Sequence, residues 1–212
     1  MKRQYASKPL SPRETYRRQL RTAILKAARE AFIRKGYESV SMRMLAEKVG
    51  CSHGNLYLHF KNKEEIFDCL VEQSFEALAE ALRGLGAAAP GTNCLDRLRA
   101  GARAYLDFGL RNPSAYEFAF VLRRPGAPAS RKPHVAYEYL RALVARCVEE
   151  NQLTDVDVDT AAQAAWAAVH GLTSLLIFRP SFPWTDKERV IQRVINDAVA
   201  GLEGGRRSQG KR

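Results

Sequence analysis

The chain is 212 residues long, 46% hydrophobic and 27% charged, which excludes a disordered or collagen-like chain and leaves room for one large or two small globular domains. Its formal net charge is +11, and all of it lies in the N-terminal third: residues 1–63 hold 15 Lys+Arg against 4 Asp+Glu, while residues 64–212 hold 19 of each. That segregation fits a polyanion-binding head on a neutral body, and a merely solubilising basic surface would not produce it.

No run approaches 18 apolar residues and the N-terminus lacks the apolar stretch of a signal peptide, so a cytoplasmic protein without membrane association is expected. Cys51, Cys69, Cys94 and Cys147 are far apart, without a C-x-x-C pair or a histidine at metal-ligand spacing. Buried thiols, no metal and no cofactor are therefore expected, with a redox switch as the minor alternative.

Residues 1–13 carry Lys2, Arg3, Lys8, Pro9 and Pro12 without apolar periodicity and read as a basic flexible arm. From about Glu14, the positions Leu20, Ile24, Ala27, Ala28, Ala31 and Phe32 recur at helical spacing up to a stop at Gly36. A short second helix follows, with Ser41 as its cap, Met42, Leu45, Ala46 and Val49 on one face, and Gly50 at its end. Ser52 caps a third helix whose Leu56 points inward and whose His53, Asn55, Tyr57 and His59 offer polar tips. Asn62 caps a long fourth helix with Glu64 and Glu65 in its first turn, where the helix dipole favours acids. Further helical patterns cover about 94–111, 113–122, 133–151, 157–178 and 185–202. The expectation is an all-α fold of about nine helices. It comprises a helix-turn-helix domain over 14–62, a helical ligand-sensing and dimerisation domain over 63–205, and a basic tail over 206–212.

The stretch from Arg18 to Asp68 resembles the DNA-binding region of TetR-family transcriptional regulators. The recurrent core Ser-x-Gly-x-Leu-Tyr-x-His-Phe-x-x-Lys-Glu stands here as Ser52, Gly54, Leu56, Tyr57, His59, Phe60, Lys63 and Glu64. Trp166, His170 and Gly171 resemble the Trp, His-Gly signature of one C-terminal subgroup of that family. The resemblance implies a homodimeric, sequence-specific regulator of double-stranded operator DNA with no enzymatic activity, and most readily a repressor released by a small molecule.

The contact residues can also be argued from their chemistry. A recognition helix enters the major groove with its N-terminal end first, placing Ser52, His53 and Asn55 nearest bases or phosphates; Asn suits adenine N6/N7. Gly54 fits two roles, close approach of the backbone to DNA or a tight helix-helix contact. Tyr57, His59 and Lys63 can each donate to a phosphate oxygen; for Tyr57 core packing and for His59 a satisfied internal imidazole stand as alternatives. Ser41 and Arg43 can touch the opposite backbone, and Arg43 a base. Phe60 reads as core.

In the body, Tyr105, Phe108, Tyr116, Phe120, Tyr137, Trp166 and His170 are candidates to line a site for a small hydrophobic or aromatic ligand, or simply form core. The resemblance implies that the last two helices build an intersubunit four-helix bundle, with Ala165, Val169, Ile191, Val194, Ile195, Ala198 and Leu202 as interface candidates. A sequence-nonspecific architectural DNA binder is the alternative function. An enzyme finds no support, because no nucleophile-base set, paired carboxylates or phosphate loop stands outside the DNA motif.

Overall fold

The computed structural model describes residues 11–84, 92–126 and 135–203. Among these it forms nine α-helices and no strand. They are α1 (Pro12–Lys35), α2 (Met42–Val49), α3 (His53–Tyr57), α4 (Lys63–Arg83), α5 (Cys94–Arg111), α6 (Pro113–Phe120), α7 (Val135–Glu149), α8 (Val158–Phe178) and α9 (Lys187–Glu203). The all-α class and the helix order are those the sequence leads one to expect. The basic tail and residues 1–10 of the arm lie outside the described residues. Pro12 and Arg13, expected in the arm, belong to α1. Ser11 accepts from the Glu14 N–H at 3.3 Å and its own N–H donates to Glu14 Oε2 at 2.8 Å, so a capping box starts the helix. Pro12 then occupies the first turn, where a missing N–H costs nothing.

The chain divides into two compact units, one reaching Val71 and including the segment from Leu122, the other holding the remainder. In the first, α1, α2, α3 and the start of α4 close over Ile24, Phe32, Leu45, Leu56, Phe60 and Ile66, all essentially inaccessible. Phe32 stacks on Tyr37 at 5.5 Å, and Phe67 meets Tyr37 edge-on at 5.2 Å. The turn between α2 and α3 runs through Gly50 at φ 74°, ψ 32°, a left-handed conformation that favours glycine.

In the second unit α8 packs against α5, α7 and α9. Its 21 residues are long and apolar enough in mean hydropathy to cross a bilayer, a property that the core helix of a helical domain shares. Alanines dilute it, yet it has no charged residue after Asp159. At Gly109 α5 packs tightly on α8: a Cβ there would lie 2.5 Å from Thr173 Cγ2.

The expectation of free buried thiols is corrected for two of the four cysteines. Cys94 and Cys147 form a disulfide that joins the start of α5 to the end of α7. Beside it the Gln152 side-chain oxygen accepts from the Cys94 and Leu95 N–H groups at 2.9 and 3.3 Å, satisfying two of the free donors at the α5 N-terminus. A separation of 53 residues hides this pairing from any spacing rule. Cys51 and Cys69 are free and half-buried.

Candidate functional site

The first unit builds its basic surface around α3. Ser52 accepts from the Asn55 N–H at 3.1 Å and Ser41 from the Met44 N–H at 3.2 Å. These two caps fix where α2 and α3 begin and leave each hydroxyl proton available outward. Leu56 is wholly buried and sets the rotation of α3, so His53, Gly54 and Tyr57 face solvent, with Asn55 half-buried. His53 and Tyr57, one turn apart, meet edge-on at 4.9 Å. Among the described residues nothing lies within 4 Å of a Cβ built on Gly54. The tight internal contact is thereby excluded, and the open approach to the backbone remains.

Leu58, 73% exposed at the end of α3, was not singled out by sequence reasoning. An apolar residue carries no sequence signal of a polar surface, yet Leu58 stands exposed next to Tyr57. Arg43 pairs with Glu47 at 2.9 Å, but its side chain is 84% exposed. Such a pair contributes little and is easily exchanged for a phosphate.

His59 is half-buried, and its carbonyl accepts from Arg21 Nη1 at 3.1 Å. Burial first, then the charges of Arg17 and Arg21, hold its imidazole below the usual histidine range. Arg21 also lies over the Phe60 ring at 4.2 Å, and Phe60 is core as expected.

Lys63 sits further inside than a free phosphate ligand would. Its ammonium donates to the Tyr37 carbonyl at 3.2 Å and lies 4.3 Å above the Tyr37 ring. The Tyr37 hydroxyl in turn donates to Glu64 Oε1 at 2.8 Å, which holds the Glu64 carboxyl below its usual range. Lys63 and Glu64 thus clamp the loop after α1 onto the start of α4. Arg124 completes this edge with a two-pronged bond to Asp68 of α4, at 2.9 and 3.0 Å.

In the second unit, five of the predicted ligand residues meet. Tyr105 and Tyr116 both place their hydroxyls 2.8 Å from His170 Nδ1, and Tyr116 also reaches Ser174 Oγ at 2.9 Å. Phe120 packs edge-on to His170 at 5.0 Å, and Trp166 lies 5.4 Å from the same ring. Tyr137 joins through Trp166 at 5.9 Å, while Phe108 is packed in the core layer beside Tyr105 and Tyr116. Burial keeps His170 below the usual histidine range and raises both tyrosines.

Beside this cluster runs a narrow apolar cavity. Tyr105 and Trp166 form part of its wall, but most of it is aliphatic, with Leu82, Leu98, Leu140, Leu143 and Val199 among the lining. Aliphatic residues on five separate helices carry no local sequence signal of a cavity.

The seven interface candidates lie differently from the expected intersubunit seam. Ala165, Val169, Ile191, Ile195 and Leu202 are buried within the chain's own body, and Val194 and Ala198 are half-buried. Ala165, Val169, Ala198 and Leu202 line the cavity. The outward face of α8 carries Ala164, Ala168, Leu175 and Phe178 instead, the last two 50% and 39% exposed. Gly171 on the same helix has, among the described residues, nothing within 4 Å of a Cβ position.

Residues 24–70 match the family description "Bacterial regulatory proteins, tetR family", and residues 98–198 match "Tetracyclin repressor-like, C-terminal domain". Over 109 residues the chain is 32% identical to the HTH-type transcriptional activator FasR of Mycolicibacterium smegmatis, covering 51% of this chain and 47% of that protein. Over 62 residues it is 39% identical to the HTH-type transcriptional repressor AcnR of Corynebacterium diphtheriae, covering 29% of this chain and 33% of that protein. The chain therefore spans about half or less of the length of these relatives. A solved structure, the TetR family transcriptional regulator PfmR of Thermus thermophilus, superposes with a TM-score of 0.64 at 28% identity, covering 85% of this chain and 98% of that one.

Proposed function

Because the chain belongs to the TetR family of bacterial regulatory proteins and is a DNA-binding transcription regulator, we propose that it is a homodimeric repressor that leaves a palindromic operator when its body takes up a small hydrophobic or aromatic molecule. The observation that carries this is the exposed face of α3, where His53, Asn55 and Tyr57 flank a glycine that no internal packing requires. In this reading His53 and Asn55 read bases, and Ser41, Arg43, Ser52, Tyr57 and His59 hold phosphates. Lys63 chiefly sets the posture of α4 and keeps spare N–H bonds for a phosphate.

Two copies are required because one recognition helix covers too few base pairs for useful specificity. The outward stripe of Ala164, Ala168, Gly171, Leu175 and Phe178 supports α8 as the helix that meets the second copy. The cavity supports the ligand, and α4, which runs from one unit into the other, is the covalent route between ligand and DNA. A coupling of about 1–3 kcal/mol would change DNA affinity roughly 5- to 150-fold. Repression is favoured because occupying a promoter needs only binding, and the site of such action is the cytoplasm. The relatives named above include both an activator and a repressor, and a reporter assay separates the two signs.

The deciding experiment is selection of random duplex DNA by the purified protein at near-physiological salt. A palindromic motif is expected. Enrichment without any motif would replace this reading with a nonspecific architectural binder.

A further inference from the structure

Cys94 and Cys147 are bonded across a Cα–Cα distance of 5.3 Å, well inside the range a disulfide spans. Cys94 is the first residue of α5 and Cys147 lies in the last turn of α7, with Leu98, Val144, Leu153, Ala161 and Ala162 in the same core cluster. That cluster and the Gln152 cap hold this end of the body by contacts that do not depend on the bond. The Leu143 carbonyl, 3.5 Å from Cys94 Sγ, can accept from the thiol once the bond is broken. A helical chain of 212 residues with its own core does not need a disulfide as small secreted domains do.

The bond also closes a loop that reaches into the other unit. The two cysteines are 53 residues apart, and between them the segment from Leu122 belongs to the first unit. In that segment Arg124 grips Asp68 of α4 through its two-pronged bond, and its charge is felt at Tyr37 and Glu64. The disulfide therefore ties the two legs of a loop whose tip holds the start of α4, the helix that follows the recognition helix. A DNA-binding regulator in the cytoplasm works where small thiols and thiol reductases keep cysteines reduced, and disulfides there are rare and mostly transient.

We propose that Cys94 and Cys147 are a thiol–disulfide exchange site for low-molecular-weight disulfides, and that closing the bond tightens DNA binding through the loop that carries Arg124. This rests on the reading of the chain as a regulator acting in the cytoplasm. One cysteine thiolate attacks a sulfur of the small disulfide and expels its other half as a thiolate. The second cysteine thiolate then attacks the protein sulfur of the mixed disulfide, forms the Cys94–Cys147 bond and expels the remaining half. The protein dithiol gives up two electrons and two protons, and the small disulfide leaves as two thiols. Both residues are inaccessible once bonded, so exchange passes through opening of the first turn of α5 and the last turn of α7, the ends at which helices fray. With the loop closed, the Arg124 segment has less freedom left to lose when the first unit docks on a duplex, so the oxidised form binds more tightly.

The test equilibrates the native full chain in buffers of increasing ratio of reduced to oxidised glutathione, then traps free thiols by alkylation and reads each cysteine by mass spectrometry. Cys94 and Cys147 should pass together from bonded to free within that series. A bond that survives a large excess of reduced glutathione, or one that never forms, would overturn the exchange site. The second arm measures binding of the two trapped forms, by fluorescence anisotropy, to the duplex enriched in the selection experiment. The oxidised form should bind at least about fivefold tighter, and Cys94→Ala/Cys147→Ala should abolish the difference. Equal affinities, tighter binding by the reduced form, or a redox effect that persists in the double variant and so comes from Cys51 or Cys69, would overturn the coupling. If neither form binds any enriched duplex, the regulator reading falls and the coupling with it, while alkylation still decides the exchange site. Should the double variant fail to fold by circular dichroism, hydrogen exchange across residues 63–71 of the unaltered chain decides: it should be slower in the oxidised form, and equal rates would overturn the coupling.

Discussion

The Tyr116 hydroxyl lies 2.8 Å from Nδ1 of His170, with the two rings stacked at 5.4 Å and 23°. The Tyr105 hydroxyl approaches the same nitrogen. A neutral imidazole protonated on Nε2 can accept there from one of them, while the Tyr116 hydroxyl can turn to the His170 carbonyl at 3.2 Å. Burial disfavours the imidazolium, so the folded protein binds a proton at His170 less readily than the unfolded chain does. The stability associated with this neutral histidine is complete above the ordinary value of 6.5 and is lost as the pH falls from there towards the depressed folded value. Urea melts at pH 7.5 and pH 5 should show a drop on acidification that His170→Gln makes smaller. Half-buried His59 shares the sign and keeps part of the drop. An unchanged difference between the two pH values in the variant would refute the assignment.

Gly54 separates folding from reading. Its Cβ position is open and it sits inside α3, so Gly54→Ala should leave stability unchanged or raise it by up to about 1 kcal/mol, the helix-propensity difference between the two residues. The same methyl group would stand between the helix backbone and a duplex docked on this face of α3. Operator affinity, measured by fluorescence anisotropy, should fall at least about tenfold, near 1.4 kcal/mol. Full affinity in a stable Gly54→Ala protein would show that the duplex does not approach this face of α3.

What the sequence makes legible follows from range. Ser41, Ser52 and Asn62 act within three residues, and each cap is where the pattern places it. The helical stripes are likewise local, which is why the order and the approximate ends of all nine helices among the described residues could be read. Lys63 against Tyr37 and Cys94 against Cys147 depend on how distant segments meet. The interface stripe shows a subtler limit. Ile191, Ile195 and Leu202 are among the most apolar positions of α9, and the body's own core takes them; helical spacing marks an apolar stripe but not whether it faces the chain's own core or the outside.

Gly109 is required by packing where Gly54 is not. A Cβ on Gly109 would meet Thr173 Cγ2 at 2.5 Å and Tyr116 Cδ2 at 3.0 Å. Thr173 is wholly buried, with its hydroxyl donating to the Val169 carbonyl at 2.7 Å, so it cannot swing aside freely. Gly109→Ala should destabilise by about 1–3 kcal/mol, the usual scale of overpacking. Thr173→Ser removes the clashing methyl and keeps the hydroxyl, so the double variant should recover part of the loss. Additive effects in denaturant melts would mean that α5 and α8 are not in contact through this pair.

Gly171 tests the second copy without disturbing the first. It lies on the same helix as Thr173, yet among the described residues nothing lies within 4 Å of a Cβ built there. Gly171→Leu should therefore leave the thermal transition of a dilute, monomeric sample close to that of the unaltered protein. Across an α8 interface the same substitution would force apart two backbones whose approach depends on Ala164, Ala168 and Gly171 being small. Sedimentation velocity at micromolar concentration should show a dimer for the unaltered chain and a shift to monomer for Gly171→Leu, with operator binding lost in parallel because the two recognition helices are no longer held together. Phe178→Asp on the same outward face should act in the same direction. A Gly171→Leu protein that remains dimeric and binds operator would remove α8 from the interface, and one that unfolds even when dilute would contradict the open space seen around this glycine.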